Sequence, residues 1–135
     1  MAVLSVNAIM EPFAALGVLS SGSNLALRTI IRRSWLSREA RALSEARGLM
    51  VRSVLRRVGA TREMLGEAEH NGDVALVSAE SNAGRALGPL LSLVQWWRLA
   101  CATWPTAQFI GKADDDVYLH PVSYTHLTLP TKRIV

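Results

Sequence analysis

The chain has 135 residues, half of them hydrophobic and 19% charged, with a formal charge of +4. That composition excludes a disordered chain and bounds the protein to one small domain or a piece of a larger one. A single cysteine, Cys101, excludes an internal disulfide and a zinc-ligand set, and no apolar run approaches the ~20 residues a membrane-spanning helix needs.

Residues 1–10 are mildly apolar but lack the basic start of a signal peptide, and Asn7, Glu11 and Pro12 interrupt them. Residues 13–19 form a continuous apolar run of the length of a buried parallel strand. Small polar residues at 20–24 then make a turn, where Ser23 or Asn24 is placed to cap a helix. From Leu25 onward, Leu27, Ile30, Ile31 and Trp35 follow helical spacing, with Arg28, Arg32 and Arg33 around them. Residues 37–47 also read as helical, and Gly48 ends them.

Residues 49–55 are a weaker strand candidate. Thr61 opens the next helix as a partial cap, since Met64 stands where a capping box wants an acid or amide. Asn71 and Gly72 break it, and residues 73–78 read as a short strand. Residues 84–104 carry a long helical pattern, with Leu87, Leu90, Leu91, Val94, Trp97 and Cys101 near one stripe. Pro89 is expected in the first turn or at a kink, and Pro105 ends the helix. Cys101 reads as a small buried residue, and Trp35, Trp96 and Trp97 as packing residues.

The last element is a strand at 108–112 that runs into Asp114, Asp115 and Asp116. Strands alternating with helices predict an α/β fold with a largely parallel sheet. Ligands of such sheets gather at the carboxyl ends of the strands, where residues 20–24 and the Asp triplet both fall. Three consecutive carboxylates repel one another unless a cation or strong donors compensate them. On the exposed end of a strand they suit a hard divalent ion, which shares oxygen ligands with substrate phosphates. The plain alternative is a solvated acidic turn. Lys112 is placed to pair with the cluster, and His120 reads as a surface residue.

Arg28 and Arg32 are four apart, on one helix face, and the planar guanidinium suits phosphate. Surface salt bridging is the alternative, and it is the expected role of Arg33. The arginines between 28 and 57 make a modest basic stripe, read as a solvated face. No nucleic-acid-binding motif accompanies it, so no nucleic-acid partner is expected. No Ser-His-Asp set, P-loop or dinucleotide fingerprint is present.

These residues carry a family resemblance. The stretch from Arg28 to Trp35 resembles the Arg-x-x-Ile-Arg-x-Thr/Ser-Trp signature of the beta-1,3-galactosyltransferase and N-acetylglucosaminyltransferase family. Lys112 to Tyr118 is similar to its Lys-x-Asp-Asp-Asp-Val-Phe/Tyr motif. Glu67 to Val74 resembles its Glu-x-x-x-x-x-Asp-Ile segment, and Trp96 with Cys101 its Trp-x-x-x-x-Cys pair. The order is kept from Phe13 to Pro121. The family's Lys-bearing stretch before the long helix is replaced by residues 80–87, where that Lys has no counterpart.

The resemblance implies the N-terminal, donor-binding half of a GT-A domain over residues 1–121. It implies inverting transfer of galactose or N-acetylglucosamine from a UDP-sugar to a glycan hydroxyl, on a glycoprotein or glycolipid, with Mn²⁺ or Mg²⁺. Asp116 is then the expected direct metal ligand, and Asp114 reaches the metal or the donor's ribose. Asp115 holds the loop or contacts donor hydroxyls. Arg28 and Arg32 bind the donor, or Arg32 ties the first helix to the acidic loop. The family also implies a membrane anchor and a Golgi-lumenal catalytic domain. The catalytic base is unknown here and expected beyond Pro121.

Residues 122–135 resemble the translation of a sequencing-library adapter and are set aside from the fold. The natural chain is accordingly expected to continue past Pro121, and this chain alone to show no turnover. Two other readings stay open. One is a non-catalytic binding fragment, and the other a Mg²⁺-dependent phosphoryl-transfer enzyme using the Asp cluster.

Overall fold

The computed structural model describes residues 12–78 and 84–119. Residues 1–11, the segment 79–83, His120, Pro121 and the tail 122–135 lie outside the described residues. The elements run β1 (Ala14–Leu19), a 3-10 turn (Gly22–Asn24), α1 (Leu25–Arg33), α2 (Arg38–Ala46), β2 (Leu49–Arg56), α3 (Arg62–Asn71), β3 (Val74–Val77), α4 (Gly84–Thr103) and β4 (Phe109–Asp114). The fold is α/β, and the described strands form one all-parallel sheet in the order β3-β2-β1-β4.

Local chemistry sets the boundaries. Ser37 caps α2 by accepting from the Ala40 N–H, and Thr61 caps α3 by accepting from the Met64 N–H at 3.2 Å. Gly48 and Gly72 end α2 and α3 at φ +90 and +67, in the left-handed region that favours glycine. The expected cap at the start of α1 is absent: neither Ser23 nor Asn24 makes a side-chain cap bond. The Asn24 amide donates to Asp115 instead.

Alternation along β1 divides the core into two layers. Ala14, Leu16 and Val18 face α1 and pack with Ile31, Trp35, Leu36, Leu49 and Val51. Ala15 faces α4 and packs with Val54, Val77, Trp96 and Ala100. Gly17 also faces α4. A Cβ there would stand 2.5 Å from the Trp96 ring, so only glycine lets the indole lie against β1. The Trp96 Nε1–H donates to the Gly111 carbonyl of β4 at 3.0 Å. One buried side chain therefore touches both β1 and its neighbour β4.

The helix faces differ from expectation in two places. In α1, Ile30 is 59% exposed while Arg28 is buried. In α4, the expected core stripe faces outward: Leu87, Leu90, Val94, Trp97 and Cys101 are exposed. The buried face carries Ser92, Trp96 and Ala100, with Leu93 and Trp104 beside them. Cys101 and Trp97 are thus surface residues here, whereas Trp35 and Trp96 are core. Pro89 sits inside α4, past its first turn. Among the described residues no helix is long and apolar enough to cross a membrane.

Candidate functional site

Strand order reverses between β1 and β4, because the chain adds β2 and β3 on one side of β1 and returns to add β4 on the other. The loops after these two strands diverge there, which opens a crevice at the carboxyl ends of the strands. The loop after β1 holds Ser20, Ser21 and Asn24. The end of β4 holds Asp114, followed by Asp115 and Asp116. Both line an open cavity of about 430 Å³, joined by Arg56, Lys112 and residues of α4. A second cavity of about 450 Å³ adjoins it and is lined by Gly22, Val58, Gly59, Thr61 and Met64. Ser20, Ser21 and Arg56 line both cavities.

The three aspartates have different surroundings. Asp115 is drawn inward: its Oδ2 accepts from Ser20 Oγ at 2.7 Å and from Asn24 Nδ2 at 3.0 Å. Asp114 is exposed and faces Lys112 Nζ at 3.3 Å, the pairing expected from sequence. Asp116 is exposed and has no partner among the described residues. Self-repulsion in the triplet is therefore relieved by donors at the centre and by a lysine on one side.

The donors that hold Asp115 rest on a buried ionic network. Arg28, 1% exposed, donates through Nε and Nη2 to both Glu67 oxygens, at 2.7 and 2.8 Å. Its Nη1 donates to Ser20 Oγ at 2.9 Å and to the Ser21 carbonyl, and its Nη2 reaches the Gly22 carbonyl. A chain thus runs Glu67–Arg28–Ser20–Asp115. Arg32 donates to Glu67 at 2.8 Å and grips both oxygens of Asp73 at 2.8 Å. Hydrogen bonding to Asp73 raises the Arg32 pKa despite its burial. Burial alone would push the Glu67 carboxyl up, but the bonds from Arg28 and Arg32 outweigh it and hold that carboxyl below its ordinary range.

This placement gives Arg28 and Arg32, the two arginines expected at the donor, carboxylate partners within the protein. Neither lines the two cavities at the strand ends. Arg28 makes five donor contacts to protein and is closed off from solvent. It is also Arg28, through Ser20, that ties α1 to the acidic loop, whereas Arg32 ties α1 to Glu67 and Asp73. In the sequence Glu67 and Asp73 stand out only as part of a resemblance, and their role as counter-charges depends on partners 35 to 41 positions away.

Among the described residues no group of three or more His, Cys, Asp and Glu side chains is arranged to hold a metal ion. The exposed carboxylates at the crevice are those of Asp114, whose Oδ1 faces Lys112, and of Asp116. Mg²⁺-type sites often take one or two protein carboxylates and complete their shell with water and substrate phosphates. The donor set therefore fits an ion shared with a phosphate ligand and does not fit a closed protein cage. Comparison of the chain with protein-family models and with curated proteins gives no match.

Proposed function

We propose that this chain is the donor-binding part of a metal-assisted glycosyltransferase that takes a UDP-sugar, as the resemblance of its motifs implies. The observation that carries the reading is the position of the Asp triplet, at the reversal of strand order and on the wall of an open cavity. Asp116 and Asp114 are the residues that would hold Mn²⁺ or Mg²⁺. When bound, such an ion neutralises charge on the diphosphate of the leaving UDP. Asp115 takes the loop-holding role of its two expected ones, because Ser20 and Asn24 occupy one of its oxygens. The acceptor class is a glycan hydroxyl, and the family's Golgi-lumenal setting and membrane anchor belong to the same proposal.

Calorimetry with UDP and Mn²⁺ on the wild-type chain and on Asp116→Ala tests it. The wild type should bind, and the variant should lose at least about tenfold in affinity, the scale of damage to a metal site's ligands and supports. Equal binding by both proteins rejects the metal site. A phosphoryl-transfer enzyme would instead release inorganic phosphate or transfer a phosphoryl group, which a product assay separates.

A further inference from the structure

We infer that Arg56, at the junction of the two cavities, is the residue that takes the phosphate of the ligand. The inference deepens the proposed nucleotide-sugar site and rests on that reading for the identity of the ligand.

Arg56 ends β2, next to β1 and on the same side of the molecule as the acidic loop. It lines both cavities, as do Ser20 and Ser21. Its guanidinium has no hydrogen bond or ion pair among the described residues. Its position is nevertheless defined. A Cβ on Gly88 of α4 would stand 2.8 Å from Arg56 Nη1, so the guanidinium lies against a glycine whose missing side chain makes room for it.

The chemistry of the crevice requires such a group. Its other charged lining residues are three carboxylates and Lys112, and Lys112 faces Asp114. An anion entering there meets repulsion from Asp114, Asp115 and Asp116 unless a cation faces it. A divalent ion on the aspartates answers one end of a diphosphate. Arg56 answers the other with a planar fork matched to phosphate oxygens. The adjoining cavity, lined by Val58, Gly59 and Met64, offers mixed polar and apolar walls where the nucleoside end can lie.

The test measures UDP, uridine and inorganic pyrophosphate binding to the full chain by calorimetry, with Mn²⁺ and without it. Wild type, Arg56→Gln, Arg56→Lys and Gly88→Ala are compared, with near-ultraviolet circular dichroism to verify the fold. Arg56→Gln should weaken UDP and pyrophosphate by about tenfold to a hundredfold, the range for a hydrogen bond to a charged group, and leave uridine unchanged. Arg56→Lys should recover part of the loss. Gly88→Ala should keep or raise stability yet weaken UDP several-fold by displacing the guanidinium. If wild type and folded Arg56→Gln bind UDP equally, the inference falls while the proposed function stands. If wild type binds pyrophosphate through Arg56 but shows no preference for UDP over it, the nucleotide-sugar reading falls and the phosphate site stands. If wild type binds neither UDP nor pyrophosphate, both fall.

Discussion

Three arginines of this protein fall into two regions that use the same side chain in opposite ways. Under α1, Arg28 and Arg32 are locked into Glu67 and Asp73. Beside the crevice, Arg56 has no carboxylate partner among the described residues and rests on the bare backbone of Gly88. The first pair organises the loop that carries Ser20 and Asn24. The second faces space. Sequence places all three in one basic stripe, so composition alone does not separate a charge held for structure from one free to meet a ligand. Burial and counter-charge do.

The largest effect should come from breaking the held pair. Arg28→Ala leaves Glu67 and Ser20 without their main donor in a closed site, a change of about 3–5 kcal/mol in unfolding free energy. Against the ~5–15 kcal/mol of a typical domain, urea denaturation should find this variant largely unstable. Full retention of stability would mean that the network is decorative. Acid should act on the same network. The Glu67 pKa is lowered on folding, so its contribution is present above the unfolded value of 4.5 and is lost as pH falls through the lower folded value. Melting temperature should drop over that acidic window, and Glu67→Gln should flatten this part of the profile while lowering stability at neutral pH.

Smaller effects sharpen the contrast at the acidic loop. Asp115→Ala removes the acceptor of Ser20 and Asn24 and should cost about 1–2 kcal/mol by denaturant titration. Asp116→Ala touches no partner among the described residues and should change stability by less than about 0.5 kcal/mol. Matching losses for the two variants would contradict the division of labour between a tied carboxylate and a free one.

Much of the fold was legible because strand signals are local. The apolar runs at 13–19, 49–55, 73–78 and 108–112 all become strands of a parallel sheet, and Gly48 and Gly72 end helices where expected. The carboxyl-end placement of the Asp triplet followed from the same alternation. The helix faces were less legible. Two apolar stripes run along α4, and periodicity favours the richer one. The buried one is chosen by fit, since Ala100 and Ser92 allow close approach and the Trp96 ring needs Gly17 beneath it. In α1, Ile30 looks like core and Arg28 like surface. The order inverts because Glu67, far along the chain, arrives to neutralise Arg28 inside. No window of a dozen residues contains both members of that pair. Arg56 was hidden for the converse reason, since its significance lies in which walls it joins.

The indole of Trp96 has a wider consequence. It lies against Gly17 and donates one hydrogen bond to the Gly111 carbonyl, so it anchors α4 across the face of two paired strands whose tips form the two lips of the crevice. The aperture is thereby inherited from the interior. A single methyl group added at position 17, well below the rim, would push the indole off the sheet and with it α4, whose Pro89, Leu90, Ser92 and Leu93 form one wall of the opening.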